Sequence, residues 1–122
     1  MEHVRMIRAF LFFEALSFLI ASQIHFGTLM KGYEHAKAGT AESVIASVLI
    51  LGLIATVLRP ASARAAGLAA QAFALLGTCV GLFTIAIGVG PRTAPDLAYH
   101  FILVPVLIWG LLAMRRAGRR AH

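Results

Sequence analysis

The feature that most constrains this chain is a run of residues, 65–89, without one charged side chain. A bilayer core about 30 Å thick is crossed by about 17–25 helical residues. Three further apolar blocks cover residues 9–27, 41–58 and 96–114. In lipid every backbone polar group must be satisfied within its own segment, which favours helices over open strands. The sequence therefore predicts an all-α protein, a four-helix transmembrane bundle that forms a single domain over residues 1–122.

Composition excludes several other classes of protein. Apolar residues make up 60% of the 122 residues and charged residues 13%, and the mean hydropathy is +0.85. A soluble or disordered chain needs far more polar surface than this. A disulfide scaffold is excluded because Cys79 is the single cysteine. The net charge of +6 does not predict nucleic-acid binding, since the basic residues form short runs between apolar blocks.

Those basic runs predict the orientation of the bundle. Loops rich in Lys and Arg stay on the cytoplasmic side of a membrane. With four spans, the N-terminus, the middle turn and the C-terminus share one side, and they hold most of the basic residues (Arg5, Arg8, Arg59, Arg64, Arg115, Arg116, Arg119 and Arg120). The other two loops hold only Lys31, Lys37 and Arg92. Both termini are therefore predicted to be cytoplasmic.

A cleaved signal peptide is the competing interpretation of the first block. Arg5 and Arg8 would form its basic region. However, no Ala-x-Ala site follows, and Glu14 interrupts the apolar stretch. The sequence favours a retained first helix.

Ionisable residues inside membrane segments are costly and mark functional sites by default. With a rise of about 1.5 Å per residue, His25 and His100 are predicted to lie at similar depth near the outer ends of their helices. Glu42 opens the second helix on that side, and Asp96 shares a helix face with His100. His35 lies in the loop above. The topology thus predicts a cluster of imidazoles and carboxylates at the outer end.

Imidazole and carboxylate are ligands for Zn, Cu or Fe ions, which predicts a metal site formed by His25, His100, Glu42, Asp96 and His35. His25 and His100 are alternatively the axial pair of a b-type haem. The competing interpretation is structural: interfacial histidines bind backbone carbonyls, Thr40 caps the second helix, and Glu42 and Asp96 complement helix dipoles.

Glu14 lies about two turns inside the first helix, on nearly the same face as Ala21 and His25. A polar stripe at this depth predicts a proton or cation site. The alternative is a protonated carboxyl that hydrogen-bonds between helices. In the third helix, Gly77 and Gly81 form a small-xxx-small pair that predicts close helix packing.

The chain resembles the DoxX-like family of small four-helix bacterial membrane proteins. The resemblance is carried by its length, by His25-Phe26-Gly27 at the end of the first helix, and by the middle turn from Arg59-Pro60 to Arg64-Ala65-Ala66-Gly67-Leu68. It implies a multi-pass protein of the bacterial inner membrane that acts as a subunit or partner of a redox system. A second comparison, with small multidrug transporters, is carried by Glu14 alone.

Three functions follow from these observations. The first is a metal- or haem-binding module, with a redox partner in the membrane. The second is a proton- or cation-coupled small transporter that uses Glu14 and works as a homo-oligomer. The third is an accessory subunit without a cofactor. A soluble-type enzyme is not expected, because no nucleophile–base pair, phosphate loop or dinucleotide motif is present. Whether the chain is an enzyme is left open, because a membrane enzyme could use the outer metal site.

Overall fold

The computed structural model describes residues 1–119 and consists of α-helices. The four helices are α1 (Glu2–His25), α2 (Ala36–Leu58), α3 (Ala63–Ala86) and α4 (Ala94–Ala117), with a short 3₁₀ turn at Pro60–Ser62. Arg120, the last basic residue of the topology argument, lies outside the described residues.

Three of the helices, α2, α3 with its preceding turn, and α4, are long and apolar enough to cross a membrane. The all-helical prediction is therefore confirmed, together with a multi-pass membrane character. Helix α1 is as long as the others but falls outside this group. Its charged residues, among them Arg5, Arg8 and Glu14, lower its mean hydropathy.

The helices extend further than the apolar blocks predict, because polar residues form their first and last turns. Helix α1 begins at Glu2 and helix α4 continues to Ala117. Helix α2 begins at Ala36, because the His35 ring accepts a hydrogen bond from the Ala38 N–H and caps the helix. The predicted cap, Thr40, is wrong: its hydroxyl donates to the Ala36 carbonyl inside the helix.

The ends of α1 and α3 are set by glycine. Gly27 and Gly88 have φ values of +75° and +85°, in the left-handed region that residues with a Cβ rarely adopt. The predicted third helix, residues 65–89, therefore ends at Ala86. The predicted first helix, residues 9–27, ends at His25.

Helices adjacent in sequence pack against each other, so the bundle follows the order α1–α2–α3–α4. The closing pair, α1 with α4, is packed much less extensively than the others. We call this line of weak packing the α1–α4 seam. The core is filled by apolar side chains of all four helices, including Leu11, Leu49, Ala74 and Leu107. Large apolar side chains such as Leu51, Leu76 and Phe101 are exposed on the outside, as lipid contact requires.

Arginine side chains satisfy the carbonyl groups at three helix C-termini. Arg8 donates to the Thr56 carbonyl of α2, Arg64 to Met114 and Arg115 of α4, and Arg92 to Ile85 and Ala86 of α3. Helix ends leave such carbonyls without partners inside the helix. These bonds therefore fix the ends of the bundle. We call the end that carries His25 the His25 end, and the opposite one the Arg64 end.

Candidate functional site

The His25 imidazole lies between two carboxylates at the His25 end of the bundle. Its Nδ1 is 2.7 Å from Glu42 Oε2 of α2, and its Nε2 is 2.9 Å from Asp96 Oδ1 of α4. All three side chains are buried. One ring thus joins three helices through two charge-assisted hydrogen bonds, which are stronger than bonds between neutral groups. We call Glu42, His25 and Asp96 the His25 cluster.

The two hydrogen bonds constrain the charge of the His25 cluster. Each bond needs one proton, so with the outer oxygens of both carboxyls unprotonated the three groups share two protons. If the ring is an imidazolium, both carboxylates are ionised; if the ring is neutral, one carboxyl is protonated. The net charge is −1 in either case. Among the described residues, His25 is the only basic side chain within ion-pair distance of Glu42 or Asp96.

Both carboxylates are positioned by their helices. Asp96 lies in the first turn of α4, as predicted, where the positive end of the helix dipole suits an anion. Its Oδ2 accepts a hydrogen bond from the Thr93 backbone N–H, and its own backbone N–H donates to the Thr93 hydroxyl oxygen, which forms a capping box. The loop between α1 and α2 is held by a hydrogen bond, 2.8 Å long, from the His35 N–H to the His25 carbonyl. That return places Glu42 beside His25.

The other two predicted ligands face different partners. His35 accepts at Nδ1 from the Ala38 N–H, so its Nε2 carries the proton and donates to the Val89 carbonyl at 3.1 Å. His100 donates from Nδ1 to the Asp96 carbonyl at 2.8 Å, and its Nε2 lies toward Gly81 of α3.

The predicted metal or haem centre remains a prediction. Among residues 1–119, no group of three or more His, Cys, Asp or Glu side chains is arranged to hold a metal ion. A metal ligand needs an imidazole nitrogen without a proton, and both His25 nitrogens are engaged with carboxylates. In this arrangement the five predicted ligands act as hydrogen-bonding groups.

Glu14 forms a second polar contact deeper in the bundle. It is only 3% exposed, and its Oε1 accepts a 2.7 Å hydrogen bond from Gln71 Nε2 of α3. The same Gln71 nitrogen donates to the Leu107 carbonyl at 3.1 Å. Glu14 Oε2 and Gln71 Oε1 are buried without a hydrogen-bond partner. Gly110 makes this arrangement possible, because a Cβ there would approach Gln71 Nε2 to 2.3 Å.

Two cavities follow the α1–α4 seam. The upper cavity, about 350 Å³, reaches His25 and Asp96 and has largely apolar walls. The lower cavity, about 200 Å³, reaches Glu14. Ser17 and Tyr99 line both cavities, and their hydroxyl oxygens are 3.2 Å apart across the seam. The seam therefore connects the His25 cluster with Glu14 through a pair of hydroxyl groups.

The glycine pair of α3 lies against two neighbouring helices. A Cβ at Gly77 would come within 2.7 Å of Ile45 of α2, and one at Gly81 within 3.1 Å of His100 Nε2 of α4. Both glycines also line a cavity of about 170 Å³ that reaches Glu42 and His100 from the side opposite the seam. Close approach on two sides is what the spacing of the glycines predicts.

Sequence analysis missed the partners that complete these contacts. Gln71 is the one strongly polar residue of the charge-free run 65–89, and that isolation was the available signal. Tyr99 is the second, and its hydroxyl points into the seam toward Ser17. The contact between Ser17 and Tyr99 was not visible in the sequence, because it depends on how α1 and α4 are rotated about their axes.

Comparison with known proteins adds no assignment: no family model, no curated protein and no solved structure matches this chain. The resemblance to the DoxX-like family therefore remains an interpretation of the sequence.

Replacing His25 by phenylalanine leaves two buried carboxylates without their shared partner. Breaking a buried ion pair from one side costs about 3–5 kcal/mol. We expect His25→Phe to lower the thermal unfolding temperature in detergent strongly, as followed by circular dichroism. The matched control is His3→Phe, because His3 is exposed at the start of α1. Equal unfolding temperatures for the two variants would contradict the role of the cluster.

The metal or haem prediction is tested on detergent-purified protein by a visible absorption spectrum and elemental analysis. A Soret band or stoichiometric metal that disappears when His25 and His100 are both replaced by alanine supports the prediction. A cofactor that survives the double replacement rejects these ligands.

Proposed function

We propose that this protein is a small proton- or cation-coupled membrane carrier in which Glu14 takes up the transported proton or cation. The observation that carries the proposal is the state of the Glu14 side chain. It is buried at the middle of α1, it lines a cavity of the seam, and its Oε2 has no partner. An ionised carboxylate in such a place costs several kcal/mol unless something neutralises it. A proton or a small cation does so.

The arrangement of Gln71 supports reversible uptake. Its amide N–H₂ donates to one Glu14 oxygen and leaves the other free for a proton or cation. Its own unpaired carbonyl oxygen accepts from a protonated carboxyl or coordinates a cation after a small rotation. Helix packing alone would not require either free oxygen, because buried polar atoms are normally paired.

The seam supplies the route. Asp96 and His25 line the upper cavity, Ser17 and Tyr99 line both cavities, and Glu14 lines the lower one. Hydroxyl groups pass protons by accepting on one side and donating on the other. Weak packing between α1 and α4 allows the seam to widen without disrupting the remaining helix pairs.

The proposal includes the placement of the bundle in the membrane. All four helices, α1 included, cross the bilayer of the bacterial inner membrane, and the polar side of α1 is covered by the other helices. The His25 end faces outward and both termini lie in the cytoplasm, which follows the distribution of Lys and Arg. A second copy of the chain completes the pathway, because four helices enclose only small cavities.

The metal- or haem-binding module and the cofactor-free accessory subunit are the two other functions that the sequence predicts. The first needs His25 and His100 as ligands. The second needs neither histidine and leaves Glu14 as a purely structural contact. Neither accounts for the unpaired oxygen of Glu14.

Orientation is tested by cysteine labelling in intact cells. Cys79 is first replaced by serine, and single cysteines are introduced by Glu34→Cys in the loop before α2 and by His3→Cys near the N-terminus. We expect a membrane-impermeant maleimide to label position 34 in intact cells and position 3 only after lysis. The reverse pattern would place the His25 end in the cytoplasm.

Transport is tested in liposomes that contain a trapped pH-sensitive dye, with valinomycin and potassium to clamp the voltage. After an external acid step, we expect wild-type protein to speed proton entry at least tenfold over Glu14→Gln, which cannot ionise. Glu14→Asp is expected to retain part of the flux.

The matched control is Glu34→Gln, the same chemical change on an exposed loop. Glu34 accepts from the Gly32 N–H, and bonds from backbone N–H groups hold the pKa of its carboxyl below the usual value. This variant is expected to transport like wild type. Unchanged flux in Glu14→Gln would refute the proposal, as would wild-type flux no greater than that of protein-free liposomes under proton, sodium and potassium gradients.

A further inference from the structure

The upper cavity of the seam combines apolar walls with a polar base. Ile20, Ile24 and Met30 contribute apolar wall, and Ile20 and Met30 are 46% and 48% exposed at its edge. The base is formed by Asp96 and by the hydroxyl groups of Ser17 and Tyr99. Its volume of about 350 Å³ lies within the range of small-molecule sites. The cavity therefore suits a molecule with a polar head and an apolar remainder.

The charge at the base of the upper cavity determines which polar head a ligand needs. The His25 cluster carries −1, and no lysine or arginine among the described residues pairs with its carboxylates. The dipole of α4 offsets part of this charge at Asp96, but a buried net charge still favours a counter-ion. The His25 ring nitrogens are engaged with carboxylates, and the other polar side-chain atoms that line the cavity are hydroxyl or carboxyl oxygens, which accept hydrogen bonds. The complementary head is a cation that donates several of them.

The position of the upper cavity indicates what the apolar part of the ligand is. On a bundle that spans the membrane, the seam opens sideways to lipid near the end of α1, at the depth of the headgroups. A primary ammonium offers three N–H donors. A trimethylammonium offers none and is bulkier. Lys31, which is exposed and follows the cavity residue Met30 in the sequence, suits a phosphate.

From these features we propose that the upper cavity binds a membrane phospholipid with a primary ammonium headgroup. The ammonium donates to the Asp96 carboxylate and to the Ser17 and Tyr99 hydroxyl oxygens. The first carbons of the lipid lie against Ile20 and Ile24, and its acyl chains remain in the bilayer. The lipid proposal rests on the proposed membrane placement of the bundle but not on the transport role of Glu14. The two proposals can therefore fail independently.

The test is lipid retention by the purified protein, measured by native mass spectrometry. The protein is incubated in detergent with equal amounts of phosphatidylethanolamine and phosphatidylcholine that carry identical acyl chains. We expect wild type to retain roughly ten times more of the ethanolamine lipid, because hydrogen bonds to charged groups are the strong ones. Equal retention of the two lipids would overturn the proposal.

A matched pair of variants locates the binding. Ala21 lines the cavity, and Ala21→Phe fills it; Ala72 is exposed on α3, and Ala72→Phe adds the same side chain away from the seam. Ala21→Phe is expected to lose the tenfold preference, whereas Ala72→Phe keeps it. A preference that survives in Ala21→Phe with native helix content would place the lipid elsewhere and refute the site.

Two further measurements distinguish lipid binding from the transport role of Glu14 and from binding of a soluble amine. Glu14→Gln is expected to keep the lipid preference even if it loses proton flux, and loss of the preference there would contradict a site limited to the upper cavity. Soluble phosphoethanolamine, added in millimolar excess, is expected to leave the lipid bound. If the free headgroup displaces the lipid completely, the ligand is a soluble amine and the assignment to a lipid fails.

Discussion

The architecture depends on one imidazole held by two carboxylates. His25 ends α1, Glu42 lies in α2 and Asp96 begins α4, so the ring at the end of one helix sets the spacing of two others. Because the cluster is buried, each group depends on the other two for its hydrogen bonds. The cap of α4 and the return of the chain after α1 both serve this contact. The rest of that end is arranged around it.

A second set of polar groups lies along the α1–α4 seam. Helices joined by short connections pack over their whole length, whereas α1 and α4 meet only after the chain has passed through the other two. Packing is weakest between α1 and α4, which no loop joins directly, and two cavities lie between these helices. Ser17, Tyr99 and Glu14 lie in this region.

Much of this arrangement was predictable from sequence, and the remainder was not, for physical reasons. Apolar length and hydropathy predict four helices, and hairpin connectivity places His25, Glu42 and Asp96 at one end. Connectivity says nothing about rotation about a helix axis, which decides that His25 meets both carboxylates while His100 turns toward Gly81. The predicted helix bounds were wrong where polar residues continue a helix, as at the start of α2 at Ala36. Hydropathy detects contact with lipid and not backbone geometry. Gln71 escaped notice because a single amide among apolar neighbours has no periodic pattern.

The two hydrogen bonds of the His25 ring differ in when the chain is able to form them. Glu42 follows His25 closely, whereas Asp96 emerges only after α3 has been made, because synthesis runs from the N-terminus. During insertion the ring therefore has one partner long before the other. The α1–α4 seam cannot close before α4 has been made, and until then the His25 nitrogen that faces Asp96 lacks this partner.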